Sequence, residues 1–375
     1  MNWAIMELYC GGSGKMGYYN SQELGLARAL RKYGIDVTIV YPDKALKKET
    51  EETVEEGITI FRVPCRTLGV HAFYELSFLK ERGIDVVHLD SDNQMYAPEV
   101  IRYCRDNHIF CYNYIGTVYS DTENRVKRLL MNLVSRRNIR CFRGMLTFAK
   151  TRSVQKLLEQ EGVSEVKIAP VGLDMSVIQK SSENKETLRR FLKLPQKLKL
   201  LLFVGRLESY KRPFAALELL ERLGSSYGLI VIGEGSLGER FQEILLEKGL
   251  EKRVFYFSRI PNVQMYQYYA ASDYFVNFNT HEIFGMSILE AMYQGCVVIA
   301  RRAPGPEEII EDGVSGFLCA SDEEMDRAFS DHRVQGMGER AEKRIRECFT
   351  WDETAGKIKT QVFQKIQEEQ QAGRE

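Results

Sequence analysis

One strand–loop–helix–strand unit constrains the fold more than any other part of this chain. It reads as an apolar strand over 274–278, a loop that carries Glu282, a helix that opens at Gly285, and a second apolar strand over 296–300. The helix would begin just beyond the end of the first strand, so its unpaired amides and the positive end of its dipole would face the loop. The unit therefore predicts a site for an anion such as a diphosphate.

A second carboxylate on this helix argues against a glycosidase. Glu290 lies eight residues after Glu282, and two helical residues at that spacing would be roughly 12 Å apart along the axis. A glycosidase needs its carboxyl groups about 5–10 Å apart. The spacing instead suits two acceptors that bind hydroxyl groups on either side of a diphosphate. From spacing alone, a solvated face of an amphipathic helix is the alternative interpretation.

The length and composition of the chain exclude several classes. A chain of 375 residues exceeds one ordinary core, which predicts two domains. Lysine plus arginine equals aspartate plus glutamate, 52 each, so no overall field would recruit nucleic acid. The eight cysteines contain no C-x-x-C pair, which favours a reduced, cytoplasmic protein. No 18-residue apolar run is present, and the start lacks the basic region of a signal peptide.

Short apolar strands alternate with helical patterns along both halves of the chain, which predicts two doubly wound α/β domains with parallel sheets. In the first half, strands are expected at 3–9, 36–41, 59–63, 86–89, 110–114, 145–148 and 166–169, and helices at 17–33, 70–82, 98–107 and 122–139. The predicted boundaries are an N-terminal domain over 1–175, a connection over 176–197, a C-terminal domain over 198–350, a helix over 351–367 and a disordered tail over 368–375.

Glycines and cations follow several of these strands. The turn after the first strand contains Gly12 and Gly14 but matches neither a Walker A nor a G-x-G-x-x-G pattern, so a tight turn and a binding loop remain equal interpretations. Arg206 and Lys211 follow the strand that ends near Gly205, where two cations could bind a phosphate. The next strand ends in V-I-G-E-G, which allows a ligand to approach the backbone.

Two further stretches carry charge. Asp90-Ser91-Asp92 resembles the metal-binding D-x-D of another glycosyltransferase architecture, but it lies in the domain opposite the predicted phosphate site, so we expect no metal. Residues 123–143 hold seven basic residues and one acid, interleaved with leucines. This pattern fits an amphipathic helix on an anionic membrane or on a phosphorylated acceptor, and it also fits the solvated face of a sheet-packing helix.

Together these segments resemble the retaining glycosyltransferases of family 4, which have the two-domain GT-B fold. The resemblance covers nearly the whole chain and is densest in four motifs: FVGRLESYKRP, VIGEG, HEIFGMSILEAMYQGCVVIA and PGPEEIIEDGVSGFL. It implies an acceptor-side N-terminal domain, a C-terminal domain that binds the nucleotide sugar, and a last helix that returns to the N-terminal domain.

The resemblance also implies roles for individual residues. Glu282 would contact the donor sugar, Arg206 and Lys211 the diphosphate, Glu290 the ribose, and the backbone near Arg259 the base. The catalytic set is therefore Glu282, Arg206 and Lys211. The implied donor-binding positions are Gly12, Gly14, Gly205, Gly233, Gly235, Arg259, Ile260, Phe284, Gly285, Met286 and Glu290.

The sequence departs from the family pattern where a histidine usually follows a strand of the first domain, because Ile115 occupies that place. From the resemblance as a whole, we expect a metal-independent retaining enzyme without a cofactor. It would move a hexose to a hydroxyl of a glycan, lipid-linked or small-molecule acceptor. The favoured donor is a UDP-sugar, and GDP-mannose is the second choice. The protein would be cytoplasmic, with peripheral contact at the inner membrane face as an option. The alternatives are a non-catalytic donor-binding subunit, motivated by Ile115, and a nucleotide-sugar epimerase of the same fold.

Overall fold

The computed structural model describes residues 1–11, 21–120, 122 and 124–372. The described chain forms two compact units. The first comprises Met1–Asp174 together with the segment that begins at Trp351, and the second comprises Met175–Thr350.

The first unit contains ten described strands. They are β1 (Asn2–Glu7), β2 (Asp36–Asp43), β3 (Thr50–Glu55), β4 (Ile58–Pro64), β5 (Arg66–Leu68), β6 (His71–Phe73), β7 (Val86–Asp90), β8 (Phe110–Ile115), β9 (Thr147–Ala149) and β10 (Val166–Ile168). Eight of them form one sheet in the order β10-β9-β8-β7-β1-β2-β4-β3, which is parallel except for the β3–β4 pair. The connection order reverses between β1 and β7, and such switch points are where sheets of this kind bind ligands.

Five helices lie among these strands in the described residues of Met1–Asp174. They are α1 (Gln22–Arg31), α2 (Ser77–Glu81), α3 (Ala97–Asp106), α4 (Arg125–Phe142) and α5 (Arg152–Gln160). The predicted helix over 70–82 is wrong in its first half, because β6 pairs there with β5 and His71 forms a bridge with Tyr9. Strand β3 was not predicted, since its polar sequence TEETVE belongs to an exposed edge, where charged residues discourage pairing with other chains.

The second unit holds a six-stranded, fully parallel sheet in the order β13-β12-β11-β14-β15-β16. Its strands are β11 (Lys199–Val204), β12 (Tyr227–Ile232), β13 (Val254–Phe257), β14 (Tyr274–Asn277), β15 (Val297–Arg301) and β16 (Phe317–Cys319). Its helices are α6 (Lys185–Phe191), α7 (Pro213–Leu223), α8 (Gly238–Glu247), α9 (Asn262–Ala271), α10 (Met286–Tyr293), α11 (Pro304–Ile309), α12 (Asp322–Ala328) and α13 (Met337–Cys348). The central strands are continuous apolar runs because helices cover both faces.

The predicted connection over 176–197 is part of the second unit, which begins at Met175. Helix α6 lies within it, and its Arg189 is buried. The guanidinium of Arg189 pairs with Asp273 at 2.6 Å and donates to the Ala271 carbonyl at 2.9 Å. This segment was predicted to be a connection because its sequence is polar. The sequence does not show the buried partners of Arg189, so this arginine resembled a surface charge.

The last helix, α14 (Trp351–Ala372), belongs to the first unit. The Trp351 amide donates to the Leu173 carbonyl, and the Thr354 hydroxyl donates to the Pro170 carbonyl at 2.7 Å. The tail predicted to be disordered from 368 is helical through Ala372, because its glutamate, glutamine and alanine residues favour helix. Among the described residues, no helix combines the length and the apolar character needed to cross a membrane.

Candidate active site

A lysine and a glutamate meet at the carboxyl edge of the second sheet. Strands β11 and β14 are neighbours, and the connection order reverses between them, which makes their ends the switch point of this sheet. Lys211 ends a short 3₁₀ turn (Ser209–Lys211) after β11, and Glu282 lies in the loop after β14. The Lys211 Nζ is 2.6 Å from the Glu282 Oε2, and the side chains are 18% and 13% exposed. The two sequence motifs therefore converge in space.

Two asparagines hold the same glutamate oxygen. The Nδ2 atoms of Asn277 and Asn279 donate to the Glu282 Oε2 at 3.3 and 3.2 Å. The carbonyl oxygen of the Asn277 side chain accepts from the Asn279 amide, and that of Asn279 accepts from the His281 amide. The loop therefore fixes Glu282 through short-range bonds. Neither asparagine was predicted to be a site residue, although the sequence shows the spacing N-x-N-x-x-E at the end of a strand.

The start of α10 lies next to Glu282 in sequence. Gly285 precedes Met286 with φ 106°, a left-handed conformation that favours glycine. The Gly305 amide donates to the Glu282 carbonyl at 2.9 Å, and a Cβ on Gly305 would lie 2.0 Å from the Phe284 carbonyl oxygen. Glu282 is therefore not helical, and the axial separation from Glu290 expected for two helical residues does not apply.

The glycines after β11 and β12 have a structural cause of their own. A Cβ on Gly233 would lie 1.9 Å from the Gly205 carbonyl oxygen, and a Cβ on Gly235 would lie 2.5 Å from the Leu207 carbonyl oxygen. The two loops therefore touch backbone to backbone, and the Leu207 amide donates to the Glu234 carbonyl at 3.0 Å. From the sequence, these glycines were interpreted as room for a close ligand, whereas the packing of the two loops already requires them.

Three further predicted site residues, Arg206, Arg259 and Ile260, follow the carboxyl ends of strands in the same sheet. Arg206 is exposed, and its guanidinium lies 5.4 Å from the ring centroid of Tyr210. Arg259 is exposed and Ile260 is half-buried, both after β13, which is separated from β11 by one strand. Glu290 is half-buried on α10. Gly12 and Gly14 lie outside the described residues.

The switch point of the first sheet is built differently. Three carboxylates, Glu7, Glu23 and Asp90, place oxygen atoms within 4.8 Å of one another, close enough to hold a cation. The Lys150 Nζ lies 3.4 Å from the Asp90 Oδ1. The Asp92 Oδ1 accepts from the Gly116 and Thr117 amides at 2.7 and 3.0 Å, so the second aspartate of the D-x-D triplet is engaged with backbone.

Burial and mutual repulsion shift the acids of this first edge. Burial, followed by the charges of Asp90 and Glu23, raises the pKa of Glu7 well above its ordinary value. Burial also raises the pKa of Asp90 to about 6, although the Lys150 charge opposes the shift. Burial disfavours the Lys150 charge, but Asp90 and its neighbours outweigh it and raise the pKa of Lys150. The edge therefore holds a charged lysine among carboxyl groups that retain protons readily.

This chain is similar to known glycosyltransferases. Residues 184–335 match the family described as glycosyl transferases group 1. A GDP-mannose-dependent alpha-mannosyltransferase of Mycobacterium tuberculosis (strain CDC 1551 / Oshkosh) is 26% identical over 310 residues, covering 77% of this chain and 76% of the relative.

Two solved structures share the fold over nearly the whole chain. A sucrose-phosphate synthase from Thermosynechococcus elongatus superposes with a TM-score of 0.78 at 16% identity, covering 97% of this chain and 98% of the other. Anabaena HepE in complex with UDP and glucose gives a TM-score of 0.71 at 20% identity, with coverages of 97% and 100%. Residues 184–335 therefore match the group 1 glycosyltransferases, and the whole chain shares the GT-B fold of the two solved structures.

Proposed function

We propose that the protein transfers a hexose from a nucleoside diphosphate sugar to an acceptor hydroxyl, with retention of the anomeric configuration and without a metal ion. The observation that carries the proposal is the Lys211–Glu282 pair at the switch point of the second sheet. It combines a cation for the diphosphate with an oriented carboxylate for the sugar, next to the first amides of α10.

The bonding pattern of Glu282 supports a role in sugar binding. Lys211, Asn277 and Asn279 all donate to Oε2. Within the described part of the chain, these bonds leave Oε1 to accept the hydroxyl groups of a sugar. An ammonium carries three N–H donors, so Lys211 can keep its bond to Glu282 and also donate to a phosphate oxygen.

The chemical step follows from this charge distribution. As the bond between the anomeric carbon and the diphosphate breaks, negative charge grows on the leaving oxygen. Lys211, with Arg206 and the first amides of α10, stabilises that charge, as preformed donors do in an oxyanion hole. The acceptor hydroxyl forms the new bond from the face that the diphosphate leaves, and its proton passes to a diphosphate oxygen. Glu290 binds the ribose, and the backbone near Arg259 and Ile260 binds the base.

A UDP-sugar is the favoured donor, and GDP-mannose is the second candidate. HepE, whose fold this chain shares, is described in complex with UDP and glucose, whereas the mycobacterial relative is described as GDP-mannose-dependent. The acceptor is a glycan, a lipid-linked sugar or a small molecule with a free hydroxyl.

A thermal-shift screen of UDP, UDP-glucose, GDP and GDP-mannose tests the donor, because a ligand that binds the native state raises Tm. Turnover of the stabilising sugar nucleotide is then measured with and without excess EDTA. Transfer that persists in EDTA supports the proposal. Loss that Mn²⁺ restores would contradict metal independence and direct attention to Glu7, Glu23 and Asp90. Binding without turnover would favour the accessory-subunit alternative, and conversion of the donor sugar to its epimer would favour the epimerase.

We also propose that α4 docks on an anionic membrane surface. Val126, Leu129, Leu130 and Leu133 recur at i, i+3, i+4 and i+7 and are 52–69% exposed. The buried residues of the same helix, which include Ser135 and Phe142, lie on the opposite face. The helix carries six basic residues and no acid, so its charge complements phosphatidylglycerol or phosphatidylserine headgroups.

Vesicle flotation tests this docking. Leu129→Ser with Leu133→Ser should abolish flotation with anionic vesicles, because these side chains supply the buried apolar area. Leu246→Ser is the matched control, since Leu246 is 61% exposed on α8 and lies outside the stripe. Equal flotation of the double variant and the control would remove the membrane proposal and leave the solvated helix.

A further inference from the structure

We propose that Asp322 is a positioning residue, which holds Arg212 in a left-handed backbone conformation and thereby presents Lys211 to Glu282. The inference rests on the proposed function, since it concerns the lysine of the diphosphate site. It adds residues that neither the motifs nor the comparisons assign.

The backbone of Arg212 carries the first part of the argument. Arg212 has φ 52° and ψ 54°, between the 3₁₀ turn that ends at Lys211 and the helix that begins at Pro213. A side chain with a Cβ is disfavoured in this region, where glycine is the usual occupant. A residue that precedes proline is in addition driven toward extended conformations. Something outside the backbone must therefore stabilise this conformation.

The guanidinium of Arg212 supplies that stabilisation through Asp322. Its Nη1 and Nη2 atoms lie 3.1 and 2.6 Å from the two carboxylate oxygens of Asp322, a bidentate pair. Arg301 binds the same carboxylate and also donates to the Ala320 carbonyl at 2.6 Å. Burial opposes ionisation of Asp322, but the two guanidiniums outweigh it and lower its pKa. The anchor is therefore charged and fixed from two sides.

The opposite end of the Lys211 loop is fixed as well. The Glu208 carboxylate accepts from the Ser236 amide at 3.0 Å and from its hydroxyl at 2.6 Å. Inside the loop, the Lys211 amide donates to the Glu208 carbonyl, and the Arg212 amide donates to the Ser209 carbonyl. With both ends anchored, the direction of the Lys211 side chain follows from the Arg212 dihedral angles. If Arg212 relaxed to an extended conformation, the turn would open and Lys211 would lose its alignment with Glu282.

A second arginine–aspartate pair, between α7 and α12, provides a control. Arg222 on α7 binds Asp326 on α12 with Nε–Oδ2 2.7 Å and Nη2–Oδ1 3.0 Å. This pair has the chemistry of the Arg212–Asp322 pair, but it lies at the far end of α7 from the Lys211 loop. Asp326→Asn therefore reports the cost of losing one such pair without disturbing the loop.

The test compares Asp322→Asn and Asp326→Asn in steady-state turnover with UDP-glucose and GDP-mannose, together with Tm. We expect Asp326→Asn to lower Tm by about 2–4 °C, and Asp322→Asn to lower it further because Asp322 also binds Arg301. Asp322→Asn should lower kcat about tenfold with less than about a threefold change in donor KM, and Asp326→Asn should change kcat less than about twofold. Equal kcat values for the two variants would overturn the proposal.

The second arm of the test is a rescue by glycine. Arg212→Ala should lose as much kcat as Asp322→Asn, because alanine is also disfavoured at φ 52°. Arg212→Gly tolerates the conformation without the ion pair, so adding it to Asp322→Asn should restore most of kcat and the part of Tm that was lost with the Arg212 pair. No rescue would overturn the proposal. If the wild-type chain turned over neither donor, the proposed function would fail for these donors. The Tm values of Asp322→Asn, Arg212→Gly and the double variant would still decide whether Asp322 stabilises Arg212.

Discussion

Both sheets place a lysine–carboxylate pair at their switch point, but the two pairs have opposite surroundings. In the second unit, Lys211 binds Glu282, and the remaining donors to the same oxygen are neutral asparagine amides. In the first unit, Lys150 binds Asp90 within a group of three carboxylates. The same topology thus produces one edge with donors for an anion and another edge where acids dominate.

Because of this difference, the two lysines have different roles. Around Glu282 two asparagine amides donate to the same carboxylate oxygen as Lys211, so Lys211 has N–H donors left to act on a ligand. Around Asp90 the lysine offsets the repulsion of buried acids, so Lys150 acts mainly on folding. We therefore expect Lys150→Ala to lower stability and Lys211→Ala to lower turnover.

Lys150→Ala should have the largest effect on stability. Removing one partner of a buried ion pair leaves the other charge uncompensated, which costs about 3–5 kcal/mol. Chemical denaturation of wild type and variant at neutral pH measures this loss. Lys32→Ala is the control, because Lys32 pairs with Asp352 at 2.6 Å on the exposed surface of the same unit and should cost about 1 kcal/mol or less. Equal losses in the two variants would show that Lys150 is an ordinary surface charge.

The two glutamates of the second unit should fail in different ways. Glu282→Gln should lower turnover about 10²-fold while it weakens binding of bare UDP or GDP little, since neither contains a sugar. Glu290→Gln should weaken both the bare nucleotide and the intact donor about tenfold through the lost ribose contact. Calorimetry with nucleotide and donor separates the cases. If Glu282→Gln weakened the bare nucleotide as much as Glu290→Gln did, the assignment of the sugar to Glu282 would be wrong.

The acidic edge of the first unit should make stability depend on pH. Asp90 and Glu7 have raised pKa values in the folded state, so the folded protein binds more protons than the unfolded chain. These two protonated groups therefore stabilise the folded state at low pH. That stabilisation is lost as the pH rises from the pKa of the unfolded chain to the pKa of the folded protein, from about pH 4 to about pH 6 for Asp90.

Glu7→Gln removes one of these acids, and the loss of stability with rising pH should therefore be smaller in this variant than in the wild type. Urea denaturation of both proteins at several pH values gives the two slopes. If the unfolding free energies of the two proteins changed equally with pH, the pKa of Glu7 would not be raised in the folded state.

Much of the second edge could be predicted from sequence. Lys211 and Glu282 each follow an apolar run, and the ends of parallel strands must meet at one edge. Asn277 and Asn279 were missed because nothing in their types shows which oxygen they bind. The left-handed Arg212 was also invisible, since an arginine before a proline gives no sign of positive φ.

The first unit was less predictable because tertiary contacts decide its details. Residues 70–82 have apolar spacing that suits a helix, yet β6 pairs with β5 there. The partners of the D-x-D triplet could not be predicted either, because the Asp92 Oδ1 accepts from two backbone amides and Asp90 pairs with the Lys150 Nζ. Lys150 follows a three-residue strand, and its burial could not be read from composition.

Turnover of Lys211→Ala is the most direct test of the proposed diphosphate site. We expect a kcat about 10²–10³-fold lower, the cost of losing one preformed donor. We also expect a loss of unfolding free energy below about 1 kcal/mol, since Asn277 and Asn279 still bind Glu282. Lys248→Ala, which breaks a surface pair with Glu221 at the same 2.6 Å, should leave kcat unchanged. Wild-type turnover in Lys211→Ala would contradict the account, because the pair at the switch point would then have no part in the reaction.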